Sequence, residues 1–406
     1  MSKVLIVGAG ASGLIAAYFA ASNNNDVIVF EKNEKAGKKI YITGKGRCNL
    51  TNDCEPSEYI KNVVRNPKFT YGAINSFSPS DTIDFFNSFG LKLKTERGKR
   101  VFPGSDKASD VTKTLLKACD SVGVKIIYNT TVTDIVCENS VVKGVIAGGE
   151  FVTGDKVIVC TGGISYPLTG STGDGYSFAT KTGHSVSELK PALVGLELFG
   201  DTHKKLQGLS LKNVSLTAFI DGKKVFSEIG ELLFTHFGIS GPLVLTCSSL
   251  INRAEPKSVS LSIDLKPALD ESTLDSRLIR EFETFNKKSI INAIATLEPK
   301  SLALELLYVS GINENKRCCD VTSKERGNLV RLIKNLKLDY KGLRPIEEAI
   351  VTSGGVCVDE INPKTMESKI IKGLFFAGEV IDVDAFTGGF NLQTAFSTGF
   401  LAGKSV

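Results

Sequence analysis

The stretch Val4-Leu5-Ile6-Val7-Gly8-Ala9-Gly10-Ala11-Ser12-Gly13-Leu14-Ile15-Ala16-Ala17 reads as a buried strand, a glycine turn and the first turns of a helix. A short, unbroken apolar run suits a central parallel strand covered on both faces. The glycines of Gly8-x-Gly10-x-x-Gly13 allow the tight turn, let backbone approach a pyrophosphate and permit close helix–strand packing. Ala11, Ser12 and Gly13 then sit where unpaired backbone N–H groups face phosphate oxygens. The helix runs to Ala21, Asn23-Asn24-Asn25 breaks it, and Val27-Ile28-Val29-Phe30 is a second strand. Glu31 ends that strand, where a carboxylate accepts hydrogen bonds from adenosine ribose hydroxyls and disfavours a 2′-phosphate. A glycine turn alone is a weak sign. Turn, placement and acid together predict a site for FAD or NAD rather than NADP.

Later segments decide between those two cofactors. Residues 37–52 are dense in glycine and hydrogen-bonding side chains. Such a loop lies against a cofactor's pyrophosphate and ring, with Lys39, Gly44, Cys48 and Asn49 as candidate contacts and Arg47 offering a cationic fork. Thr161-Gly162-Gly163 follows the apolar strand Val157 to Cys160 and brings backbone close to the dinucleotide. Ala377-Gly378-Glu379 closes a late strand, and Gly388-Gly389-Phe390-Asn391-Leu392 opens a terminal helix. A second helix N-terminus, remote in sequence from the first, suits a flavin's electron-rich pyrimidine edge and its reduced anion. A simple NAD site has no use for it, so the pattern favours FAD.

The rest of the chain frames this site. Its 406 residues exceed one ordinary core, so two or three domains are expected. Helix patterns cover Ser80 to Phe89 and Ala108 to Val122, a strand follows at Val124 to Tyr128, and Thr131 to Val152 reads as a β-meander. Residues 191–264 alternate in the strand period, 266–320 are polar and helix-patterned, and strand signals resume at Leu336 and Ala349. The economical arrangement is α/β. A Rossmann-like domain of 1–190 and 350–406 is split by an inserted middle, β-rich over 191–265 and 321–349 and helix-patterned over 266–320. A formal charge of +5 is small for this length, which argues against a nucleic-acid partner. Nine cysteines without a C-x-x-C pair suit a reducing cytoplasm and argue against a dithiol reductase. Neither a secretory leader nor a membrane-spanning apolar run is visible, and no histidines stand at metal-ligand spacing.

Four segments carry a resemblance: GKKIYITGKGRCNLTN (37–52), GELLFTHFGISGP (230–242), TSGGV (352–356) and GLFFAGEVIDVDAFTGGFNLQTAFSTG (373–399). They resemble the bacterial BaiN-like flavoproteins, a family that includes aminoacetone oxidase, and the likeness runs from Val4 to Gly403. The resemblance implies FAD and three domains: a split Rossmann-like domain, a β-barrel-like domain and a small helical domain. It implies FAD contacts at Gly8, Gly10, Gly13, Glu31, Lys32, Arg47, Cys48, Asn49, Val132, Gly378, Glu379, Gly389 and Asn391. Glu379 stands where many flavoproteins carry Asp, and the family shares the Glu. Members with this pattern serve different chemistries, so the resemblance implies no substrate.

Several residues admit two readings. Cys48 either faces the flavin or packs beside it. His236 is either an acid or base at the substrate face or a hydrogen-bonded structural histidine, whereas His184 and His203 have no supporting partners. Thr352-Ser353-Gly354-Gly355 sets backbone or hydroxyls against the flavin or is a plain turn. Asp382 and Asp384 bind a substrate ammonium group or cap the terminal helix. The reading is an FAD-dependent oxidoreductase in which a small organic substrate and flavin N5 exchange a hydride, with O2 or NAD(P)H as the second partner. An oxidase of a small amine and an NAD(P)H-dependent reductase of an enone-like substrate are rival enzymes. A flavin-binding sensor or an RNA-associated flavoprotein is the alternative of another class.

Overall fold

The computed structural model describes all 406 residues. The chain forms two compact units, Met1–Ala192 with Pro345–Val406, and Leu193–Arg344. At the centre of the first is a five-stranded sheet in the order Leu374–Phe376, Lys156–Val159, Lys3–Val7, Asp26–Phe30, Lys125–Ile127. Every pairing in it is parallel. Lys3–Val7 holds the middle position, as its apolar run requires, and Val4, Leu5 and Ile6 are fully buried. N-terminal and C-terminal segments thus complete one Rossmann-type sheet. The expected meander is a separate antiparallel sheet of Val132–Glu138, Val141–Ala147 and Glu150–Thr153.

Helix Ala11–Ser22 follows the first strand, and the C-terminal helix Phe390–Lys404 lies directly on it. Two glycines allow this approach. A Cβ on Gly399 would stand 2.4 Å from the Ser12 carbonyl oxygen, and one on Gly403 would stand 2.4 Å from that of Ala16. Because 12 and 16 meet 399 and 403 in that order, the two helices run parallel. Residues 37–52 are more structured than a loop. They contain a short helix at Lys38–Ile42, a 3-10 turn at Thr43–Gly46 and a strand at Thr51–Asn52. Buried Ile40 and the hydrogen bond from Gly37 N–H to Ala9 O (2.9 Å) anchor the segment beside the glycine fingerprint.

The second unit is built on a seven-stranded antiparallel sheet. Its order is Leu336–Leu338, Val259–Asp264, Ser210–Ile220, Lys223–Phe234, Gly238–Ser240, Leu196–Leu198, Tyr340–Leu343. The two outermost strands are separated along the chain by Asp339 alone, so the sheet has to curl until its edges approach, giving a barrel-like shape. Helices Glu271–Thr284, Lys300–Ser310 and Ser323–Lys334 share a single apolar core with it, in which Leu274, Leu278, Leu302 and Leu306 join Leu216 and Ile263. The division between units falls after Ala192 and after Arg344, where the sequence reading placed it after 190 and 349. No helix is long and apolar enough to cross a membrane.

Candidate dinucleotide site

The three fingerprint glycines are glycine for different reasons. Gly8 has φ +103°, and a Cβ there would lie 2.6 Å from the Cys160 carbonyl oxygen. A Cβ on Gly13 would lie 1.9 Å from Gly8 O. Gly10 has an ordinary φ of −85°, and a Cβ added to it would meet no protein atom within 4 Å. Folding therefore does not require glycine at position 10, and the space beside it is clear of protein atoms. No side chain caps the helix that starts at Ala11, which leaves its first N–H groups without a side-chain partner.

Glu31 is buried beside this turn. Its Oε2 accepts from Ala9 N–H (2.9 Å), and its Oε1 accepts from Asn33 N–H (2.8 Å) and Asn33 Nδ2 (2.7 Å). The carboxylate holds the glycine turn and retains acceptor capacity on Oε2 for a ribose hydroxyl. Lys32 donates to Thr172 Oγ1 and to Asp174 Oδ2 (2.7 Å), and Asn33 Nδ2 to Thr169 O (3.3 Å). Segment 169–174 thus closes over the fingerprint's acidic end, a role not read from the sequence. Its signal was Thr172-Gly173-Asp174-Gly175, an acid between glycines at the start of helix Asp174–Lys181.

Lys39 and Glu379 face one another. Lys39 Nζ lies 2.7 and 3.0 Å from the Glu379 oxygens and donates to Ser165 Oγ at 2.6 Å. Glu379 Oε1 also accepts from Ser165 Oγ (3.0 Å) and from Thr352 N–H (2.9 Å). Thr352 Oγ1 in turn accepts the N–H groups of Ile164 (2.9 Å) and Ser165 (3.1 Å), fixing the turn that Thr161, Gly162 and Gly163 begin. Ser353 Oγ donates to Asp384 Oδ1 (2.8 Å), so both hydroxyls of the Thr352–Gly355 tract serve the protein. Asp382 takes two hydrogen bonds of 2.6 Å from Arg65. Neither acid caps the terminal helix, whose N-cap is Gly389.

Around that helix start, Asn52 Nδ2 donates to Gly388 O (3.1 Å) and Thr51 Oγ1 to Gln393 Oε1. Gly389 has φ +99°, and a Cβ there would lie 2.3 Å from Thr51 O. The Asn391 side chain binds Ala385 N–H (2.9 Å) and Ala385 O (2.7 Å), bracing the preceding turn, and Leu392 is partly buried next to it. Gly378 N–H donates to Thr398 Oγ1 of the same helix (2.9 Å). Arg47, expected to present its fork to a cofactor, donates to Asp106 (2.7 Å) and Glu96 and lies 4.2 Å over the Phe102 ring. Cys48 is fully buried, and burial pushes its thiol up to about 12, as befits a packing group rather than a redox one. Val132 is buried in the meander, and Gly44 lies in the 3-10 turn. His236 belongs to the other unit. It is exposed in the turn closed by Thr235 N–H to Gly238 O (2.8 Å), edge-on to Phe237.

These residues fit an extended dinucleotide. The terminal helix begins nine residues before its contact at Gly399, whereas the fingerprint helix begins one residue before Ser12. With parallel axes, the eight-residue difference offsets the two N-termini by roughly 12 Å along the axes at 1.5 Å per residue. Neither start has a side-chain cap. Asn49 Oδ1 and Thr161 Oγ1 are buried without a protein hydrogen-bond partner, a cost that a bound polar group removes.

A family profile described as "HI0933-like protein Rossmann domain" matches residues 2–405. A 3-dehydro-bile acid delta(4,6)-reductase from Clostridium scindens is 32% identical over 412 aligned positions, covering 100% of this chain and 99% of the relative. A ribosomal RNA dihydrouridine synthase from Haemophilus influenzae is 32% identical, covering 100% and 98%. Among solved structures, a 3-ketosteroid-delta4-(5alpha)-dehydrogenase from Rhodococcus jostii shares the fold, with a TM-score of 0.53 at 14% identity, covering 100% of this chain and 96% of that one.

Proposed function

The chain belongs to the family of HI0933-like proteins with a Rossmann domain, and we propose that it reduces a carbon–carbon double bond conjugated to a carbonyl. It is an FAD-dependent oxidoreductase. Bound FAD supplies hydride transfer at N5; the protein supplies binding, orientation and field. In this reading the Ala11, Ser12 and Gly13 amides hold the pyrophosphate and Glu31 the ribose. The amides that follow Gly389 serve the flavin's pyrimidine edge. Lys39 and Glu379 form a fixed pair beside it, with Asn49 and Thr161 offering their unpartnered oxygens to the cofactor.

What carries the reading is the pair of full-length relatives, each 32% identical to this chain. One is named for reducing a 3-dehydro steroid's Δ4,6 bonds and the other for making dihydrouridine. The substrates differ greatly in size, yet a 3-oxo-4,6-diene and a uracil ring share one feature, an alkene conjugated to a carbonyl. Reduction adds hydride to the β-carbon and a proton to the α-carbon, while negative charge passes through the carbonyl oxygen. NAD(P)H is the two-electron donor that balances the reaction. The near-balanced charge argued against nucleic acid, but a relative named for ribosomal RNA reopens that partner.

Anaerobic stopped-flow spectroscopy tests this. NADH or NADPH is expected to bleach the flavin band, and a 3-oxo-Δ4 steroid or a uracil-containing oligoribonucleotide to restore it. Bleaching by aminoacetone instead, with recovery only on admitting O2, would replace the proposal with an amine oxidase.

A further inference from the structure

The second unit carries 22 Lys and Arg against 18 Asp and Glu, whereas the first is nearly balanced at 27 against 26. Within that unit a cleft of about 550 Å³ opens between residues 256–262 and 335–340. Phe199 and Phe219 line it together with Lys257, Lys337 and Asp339. Phe199 is 61% exposed, although it is a large apolar ring that folding ordinarily covers. Phe219 lies in register between Ser260 on one neighbouring strand and Lys224 on the other, and Lys337 lies opposite Ser262. Small hydroxyl side chains thus form the floor between the rings and the ammonium groups. Lys224, Lys257 and Lys337 are exposed and take part in no ion pair.

An exposed ring and a half-buried one beside unpaired ammonium groups match a particular chemistry. An unstacked nucleobase lies flat on a phenyl ring, and its phosphates meet the lysines. The Asp339 carboxylate is suited to accept from a base amine. A duplex keeps its bases stacked and unavailable to the rings, and an acidic peptide engages the lysines without using the phenyl faces. We infer that this cleft on the inserted unit holds a segment of single-stranded RNA. The inference rests on the proposed reduction of a conjugated double bond, because it selects the uracil ring over the steroid among the substrates that reading allows.

The test is fluorescence anisotropy of the FAD-loaded protein with a labelled, uracil-rich RNA of about twelve nucleotides. Binding is expected, and it weakens steeply between about 50 and 200 mM salt. Phe199→Ala is expected to weaken it about tenfold, and Lys257→Glu with Lys337→Glu to abolish it. FAD content and bleaching by NAD(P)H stay unchanged in these variants, which shows that they fold. Absence of binding, equal binding by the variants, or equal affinity for a DNA strand, an RNA duplex or polyglutamate would each overturn the inference. Reduction of a small conjugated enone is followed in parallel. Enone reduction without RNA binding removes the cleft assignment and leaves the proposed reaction standing. RNA binding without reduction of any conjugated alkene upholds the cleft and removes the reaction.

Discussion

At the residue scale, Gly10 is where a test of cofactor binding can be separated from folding. Its backbone angles suit any residue, and no atom obstructs a new side chain. Gly10→Val is therefore expected to stay folded by circular dichroism and to lose most of its FAD on desalting, read as the ratio of flavin to protein absorbance. Full occupancy would remove the pyrophosphate from this turn. Gly13→Ala is a poorer probe, because its methyl group meets Gly8 O. A pH response belongs to His184. Burial holds its imidazole below the ordinary 6.5, and both ring nitrogens are hydrogen-bonded, to Thr182 Oγ1 (3.0 Å) and Ser368 Oγ (2.7 Å). The unfolded chain takes up the proton near 6.5, the folded chain only at lower pH. The stabilisation is thus complete above 6.5 and is lost as pH falls through the folded value. His184→Gln is expected to flatten the fall in Tm between about pH 7 and 5. His203 is also shifted down, by burial first and Lys204 second, so part of the slope remains. An unchanged slope would exclude His184 as a source.

At the element scale, the proposed cofactor placement uses the parallel offset of the two helices, which presents two positive helix ends. The carbonyl of Thr51 explains why position 389 is glycine, so Gly389→Val would test packing rather than the field at the flavin. Leu392, partly buried in the first turn of the terminal helix, offers a cleaner comparison. Leu392→Asp and Leu392→Asn differ in charge and hardly in shape. A carboxylate there opposes the negative charge of reduced flavin. The Asp variant is expected to have a midpoint potential lower than the Asn variant by on the order of 10–20 mV, from a few tenths to 1 kcal/mol of field. Equal potentials in a redox titration would place the pyrimidine edge elsewhere.

At the scale of the whole molecule, every candidate cofactor contact lies in Met1–Ala192 or Pro345–Val406, which share a core of their own. The excision points are close within that unit, because Ala192 pairs with Val351 in the antiparallel ladder of Lys190–Ala192 with Val351–Ser353. Joining Ala192 to Pro345 through a short glycine-serine linker is expected to give a folded protein that retains FAD. A folded but colourless product would show that cofactor binding depends on Leu193–Arg344.

Local pattern alone determined the parallel sheet's central strand, both glycine-led helix starts and the meander. An apolar run, a 3.6-residue period and a turn residue act over a few neighbours, so adjacent residues suffice to specify them. The terminal helix was legible, but its contact through Gly399 and Gly403 with the fingerprint helix was not. The partners of the polar side chains were decided by the tertiary structure. Lys39 meets Glu379 across 340 positions, and Arg47 meets Glu96 and Asp106. Asp174 joins Lys32 across 142. No spacing encodes such pairs. A partly buried charge takes whatever opposite charge the packed core brings within reach, because leaving it unpaired costs more than any local preference supplies.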